Sequence, residues 1–182
     1  MANDLEQSVK RLDFAVEKSM RYHQRRRGHY DLMHKWLLFG TILSGSAAFG
    51  GRILEPGYFG AAAAVFAAFD LVWSLSHRAR DHEMLFRRFS DLAIAIRSTS
   101  QPTQDHLTDW IKARITIESD EPPMYCALEA DCDNEVRRAR GQSKEFAHIG
   151  LFHRATMNWI RHAQVAFSPK PNPKEPRSSA SS

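Results

Sequence analysis

Asp70 is the single charged residue in a long apolar run, residues 57–76, which reads GYFGAAAAVFAAFDLVWSLS. A carboxylate in such a setting has two uses. It accepts hydrogen bonds from hydroxyls on a neighbouring helix, Ser44 or Thr41 here, or it faces a wet lumen and attracts cations. Residues three and four apart share a helix face, and the face through Asp70 holds Gly60, Ala63, Ala67, Asp70, Ser74 and His77. All six are small or polar. A similar stripe, Gly40, Ser44, Ala47 and Gly51, marks the preceding apolar run. Small stripes let helix backbones approach closely. Packing within one hairpin and a lumen between several hairpins both fit this pattern.

Other chemistry is sparse. None of the nine histidines stands in a His-Glu-x-x-His spacing. Asp81, His82 and Glu83 are neighbours that point apart on a helix, which suits a solvated face. Cys126 and Cys132 have no companion at zinc spacing, and six residues apart on a helix they point in different directions. They read as two reduced thiols. No glycine loop is built to cradle phosphate. The chain therefore reads as a non-enzyme with no metal and no cofactor.

The elements that must position Asp70 are two apolar rods. Residues 36–51, WLLFGTILSGSAAFGG, carry no charge and span roughly 24 Å as a helix. That is short for a hydrocarbon core of about 30 Å, and Lys35 and Arg52 can snorkel to close the gap. Residues 57–76 span roughly 30 Å. Pro56 and Gly57 break helix between the rods, so the expectation is a two-transmembrane helical hairpin. Arg21, Arg25, Arg26, Arg27 and Lys35 precede it, and Arg78, Arg80, Arg87 and Arg88 follow it. Positive charge stays on the cytoplasmic side, so both termini are expected in the cytoplasm and the turn outside. The formal net charge of +4 suits anionic lipid; nucleic acid is the weaker match, because few basic residues share another face. A soluble helical bundle with this hairpin at its core is the alternative. One central Asp costs about +2.5 to +3.5 kcal/mol, nearly cancelling the insertion energy of the large apolar residues around it.

The remainder reads as all-α. Leu5, Val9, Leu12, Val16 and Met20 give an N-terminal amphipathic helix within residues 1–35. Residues 77–167 hold cytoplasmic helices. Leu85, Phe89, Leu92 and Ile96 stripe the first, which continues from the second rod and ends at Ser98–Pro102. Thr103 caps the next, with Leu107, Trp110, Ile111 and Ile117 inward. Asp120 is expected to cap a third, with Pro122 in its first turn, Met124, Leu128, Cys132 and Val136 inward, and Gly141 as its stop. Ser143 opens a last helix with Phe146, Ile149, Ile160, Ala163 and Phe167 apolar. Residues 168–182, rich in Pro and Ser, form a disordered tail.

Within residues 117–140, Glu118, Glu121-Pro122-Pro123, Tyr125, Leu128 and Cys132-x-Asn134-Glu135 follow a basic-flanked hairpin. In this order of parts the chain resembles the SLATT family, the SMODS- and SLOG-associating two-transmembrane effectors, from about residue 10 to 165, with residues 1–167 as one such unit. The resemblance implies a bacterial inner-membrane effector of conflict or antiphage defence. Such a protein homo-oligomerises and permeabilises the membrane when a partner sensor, often a nucleotide-producing one, fires. Glu121, Pro122, Pro123, Tyr125, Cys132, Asn134 and Glu135 then form either a trigger interface or a clamp that holds the cytoplasmic helices in one arrangement. A membrane-anchored scaffold without pore activity and a soluble helical interaction module are the rival functions.

Overall fold

The computed structural model describes residues 2–50, 56–142 and 146–161. It is helical, with no strand among those residues, and divides into two units, Met1–Asp120 and Glu121–Ser182. The first contains α1 (Ala2–Gly50), α2 (Pro56–Trp73), α3 (Leu75–Ser98) and α4 (Gln104–Glu118); the second contains α5 (Cys126–Ala139) and α6 (Leu151–Thr156).

The N-terminal amphipathic segment and the first apolar rod are one helix. α1 runs unbroken for 49 residues, about 74 Å at the α-helical rise. No proline interrupts it, and an interior glycine such as Gly28 costs only about 1 kcal/mol of helix propensity. α2 and α3 line the same side of α1 in the antiparallel sense. Partners recede in step: Gly40 meets Phe66, His34 meets Asp70, His23 meets His82 and Arg97 meets Asp13. The turn of the hairpin, residues 51–55, lies outside the described residues.

The second rod does not continue smoothly into the helix after it. Ser74 adopts φ 48° and ψ 46°, the left-handed region, which a non-glycine residue enters at a cost of order 1–3 kcal/mol. Its hydroxyl donates to the Leu71 carbonyl at 3.2 Å. The break shifts the helical phase, so Leu75 is buried against Tyr30 and Ala79 while Val72, three residues back, is exposed.

The apolar stripes meet as their spacing predicts. Leu12 and Val16 of α1, Leu85, Phe89, Leu92 and Ile96 of α3, and Leu107, Trp110 and Ile117 of α4 form one core, with Leu5, Val9 and Met20 packed on it. Ile111 is exposed, not inward; it lies one residue past Trp110, which takes the core position. Arg97 spans to Asp13 at 2.7 Å and Glu17 at 3.2 Å, tying the end of α3 to α1. Thr103 caps α4 by accepting from the His106 amide, and His106 Nδ1 accepts from the Thr103 amide.

In the second unit Leu128, Cys132 and Val136 are fully buried. The start of α5 differs from expectation. It begins at Cys126 behind Tyr125, not at Asp120. A residue before proline disfavours the helical region, so Pro123 acts against a helix at Pro122, and residues 121–125 are not helical. Gly141, at φ 71°, ends the helix as expected. Cys126 and Cys132 are thiols, not a disulfide. The last helix is shorter than expected: α6 spans only Leu151–Thr156, and Phe146, Ile149 and Ile160 lie outside it, on described residues that are not helical. Ser143, Ala163, Phe167 and the tail lie outside the described residues, as does Gly51 of the first rod.

Candidate functional site: a hairpin His–Asp contact and a buried histidine layer

Asp70 has a partner that its sequence neighbourhood does not suggest. Its Oδ1 lies 2.9 Å from Nδ1 of His34 on α1, and both side chains are partly buried. The expected hydroxyl partners are elsewhere: Thr41 donates to the Leu37 carbonyl at 2.9 Å, one turn back on its own helix. The physical reason is register. The antiparallel course of α1 and α2 sets residue 34, not 41 or 44, level with residue 70. Mirroring Asp70 through the turn points to His34, which stands just outside the apolar run and so carries no signal in its pattern.

The stripe through Asp70 is divided by the structure. Ala63 and Asp70 are half-buried, whereas Gly60, Ala67, Ser74 and His77 are exposed. The α2 residues that turn towards α1 are Phe59, Ala62, Ala63, Phe66 and Asp70. Gly40 makes room for this. A Cβ there would lie 3.1 Å from the Phe66 ring, so any larger side chain has to displace the ring. The phenyl groups thus take the contact, and the smallest residues of the stripe are left outward on the hairpin.

Most of the hairpin's large apolar surface is also outward. Trp36, Phe39, Ile42 and Leu43 of α1 and Tyr58, Val65, Leu71 and Val72 of α2 are exposed. The helical stretch from Gly57 meets the length and apolarity of a membrane crossing, and only 6 % of its apolar window is buried. A core helix of a soluble protein would be mostly covered. At the lower rim of this apolar zone, Lys35, Arg78 and Arg80 are exposed and form no ion pair among the described residues. Deeper along α1 and α3 the arginines are matched: Arg21 with Glu17, Arg27 with Asp31 and Glu83, Arg87 with Glu83.

Below the rim lies a polar layer that pattern reading missed. Tyr22, His23, Arg26 and His82 are all buried between α1 and α3. Nδ1 of His23 and Nδ1 of His82 are 2.8 Å apart. One must carry the proton and the other the lone pair, so the contact requires at least one neutral ring. His82 stacks on Tyr30 and His23 on Phe89. Arg26 lies over the Tyr30 ring, 4.5 Å from its centroid, and donates to the Tyr30 hydroxyl. Burial, then the neighbouring His23, Arg26 and Arg78, press the His82 pKa down from 6.5 to about 3. Its sequence neighbours are charged, so His82 reads as surface; only the α3 stripe through Leu85 and Phe89, extended back one turn, places it inside.

In the second unit Asn134 is a backbone clamp. Its Nδ2 donates to the Ala147 carbonyl and its Oδ1 accepts from the Ala147 amide, both at 2.8 Å. Cys132 is buried behind it. Arg161 stands 5.8 Å over the Tyr125 ring. Glu121, Tyr125 and Glu135 are half-buried, and Pro122 and Pro123 are exposed. Replacing Asn134 by Leu strips both bonds at once. The expected cost is about 2 kcal/mol, read as faster exchange of the Ala147 amide. Unchanged exchange would show that the clamp does not hold residues 146–150.

No protein-family model matches the chain, and comparison with curated proteins and with solved structures likewise gives no match.

Proposed function

We propose that the chain is a two-transmembrane effector of a bacterial conflict or antiphage system, seated in the inner membrane with both termini in the cytoplasm. Its α1–α2 hairpin assembles with other copies and opens or disrupts the bilayer when a partner sensor or nucleotide signal reaches its cytoplasmic helices. The observation that carries the membrane part is the uncovered apolar zone around the hairpin, rimmed by Lys35, Arg78 and Arg80. Exposed cations at that level suit lipid headgroups on the cytoplasmic side. α2 supplies one crossing and the stretch of α1 from Trp36 supplies the other. The effector part rests on the resemblance of residues 117–140 to the SLATT pattern.

In this reading the outward small residues Gly60, Ala67, Ser74 and His77 are where hairpins approach one another. Asp70 stays paired with His34 in the resting hairpin and turns to water only on assembly. The rival is a membrane-anchored scaffold. It is favoured by that same pairing, since a carboxylate matched by an imidazole needs no lumen. Dye release from liposomes containing the purified chain separates the two. Release that is altered by Asp70→Leu supports the effector. An intact chain that inserts, binds a partner and releases nothing is the scaffold.

A further inference from the structure

The second unit carries an apolar segment that its own packing does not cover. Leu151 is 87 % exposed, Phe152 67 %, Trp159 56 % and Ile160 45 %. They lie on α6 and on the turn after it, where the Trp159 and Ile160 amides both donate to the Thr156 carbonyl at 2.9 Å. A helix of 6 residues is marginal in water without a surface to lie on. The charges beside it have one sign. Arg154 is exposed, and residues 146–174 contain Arg154, Arg161, Lys170 and Lys174 but no Asp or Glu. Basic runs without a carboxylate also occur at residues 18–30 and 136–144; in residues 150–161 the basic residues are interleaved with exposed large apolar side chains.

Tryptophan, leucine and phenylalanine interleaved with arginine are the composition of a segment that lies in the headgroup layer of a bilayer. An uncharged apolar partner would use the side chains but not the one-sided charge; an anionic bilayer surface uses both. We propose that residues 150–161 form a second membrane contact, lying flat in the headgroup region of an anionic bilayer and separate from the α1–α2 hairpin. The contact rests on the membrane reading of the chain only in needing a bilayer beside it. Each arginine near such a surface strengthens partition roughly fivefold, so the contact depends on lipid charge, whereas a spanning hairpin does not.

Hydrogen exchange of the full chain in nanodiscs tests this, with phosphatidylcholine alone compared with a mixture containing phosphatidylglycerol. Peptides from residues 57–73 report the hairpin and those from 150–161 report the new contact in one sample. The expected result is hairpin protection in both lipids, and exchange in 150–161 slowed about tenfold or more by phosphatidylglycerol only. The double variant Leu151→Asp, Trp159→Asp, at two well-exposed positions, should abolish that slowing and leave the hairpin protected. Exchange in 150–161 that is indifferent to lipid charge, or slowing that survives the double variant, overturns the proposal. Loss of hairpin protection would instead strike the membrane reading itself.

Discussion

Lowering the pH from about 7.5 to about 5 is expected to weaken the α1–α3 clasp by ~2 kcal/mol. The groups that matter meet between the two helices: His23, Arg26, Tyr22 and Tyr30 from α1 and His82 from α3, with the charge of the exposed Arg78 also acting on His82. In the unfolded chain His82 takes up a proton near its ordinary pKa of 6.5; in the folded chain it resists until about 3. The depressed value means that the folded state favours the neutral ring. Its contribution is complete above pH 6.5 and falls steadily through the window down to about 3, because the unfolded state there binds the extra proton. A second proton on the His23–His82 pair also removes the only lone pair available to their 2.8 Å contact. It adds charge beside the buried Arg26. Urea unfolding of the full chain in micelles, followed by helical circular dichroism at several pH values, measures this. His82→Phe keeps the stacking on Tyr30 and removes the titrating group. It should cost about 1–3 kcal/mol at neutral pH, through loss of the hydrogen bond to His23, and flatten the profile between pH 7 and 5. A wild-type profile already flat, or a fall that persists in His82→Phe, would refute the account.

The second large effect concerns the hairpin. Removing either partner of the His34–Asp70 pair leaves the other without its match in a mostly apolar surface. Breaking a buried pair from one side costs about 3–5 kcal/mol; this pair is partly exposed, so His34→Leu should cost ~2 kcal/mol. The double change His34→Leu, Asp70→Leu should recover most of that, because two apolar side chains satisfy the site as well as a matched pair does. A double-mutant cycle on reversible unfolding in bicelles gives the coupling directly. The expected coupling is of the order of the single-variant loss. Strictly additive losses would mean that the 2.9 Å contact contributes nothing and that Asp70 is held by water alone. The cycle also bears on function. If His34→Leu releases Asp70, dye leakage in the proposed effector should rise relative to wild type, and the double variant should abolish the increase.

Both predictions depend on pairs formed across more than thirty residues, and neither pair is visible as a local motif. The apolar stripes are different. Leu12 and Val16, Leu85 and Phe89, Leu107 and Trp110 announce their faces by spacing, and they form the core. Thr103 and Gly141 announce helix ends by residue chemistry, and they sit at helix ends. Spacing works there because burial is a property of a whole face, averaged over several turns. Failures occur where one residue or one backbone angle decides. Ser74 turns left-handed and rephases the helix behind it. Pro123 keeps its neighbour extended and delays α5 by one turn and more. Phe66 joins Ala63 and Asp70 in the contact with α1 because Gly40 opens space for it, while the rest of the small stripe stays outward.

By itself the sequence determined the helical class, the uncharged rods with their basic flanks, the faces that form the core, and the presence of one carboxylate in an apolar run. These follow from composition and period, which are local and additive. Only the tertiary structure decided that α1 is a single rod, that Asp70 meets His34, and that the His23 and His82 rings meet inside the molecule. Register between antiparallel helices sets those pairings. It depends on how far each helix extends and how each is rotated, which the period of either helix alone does not specify.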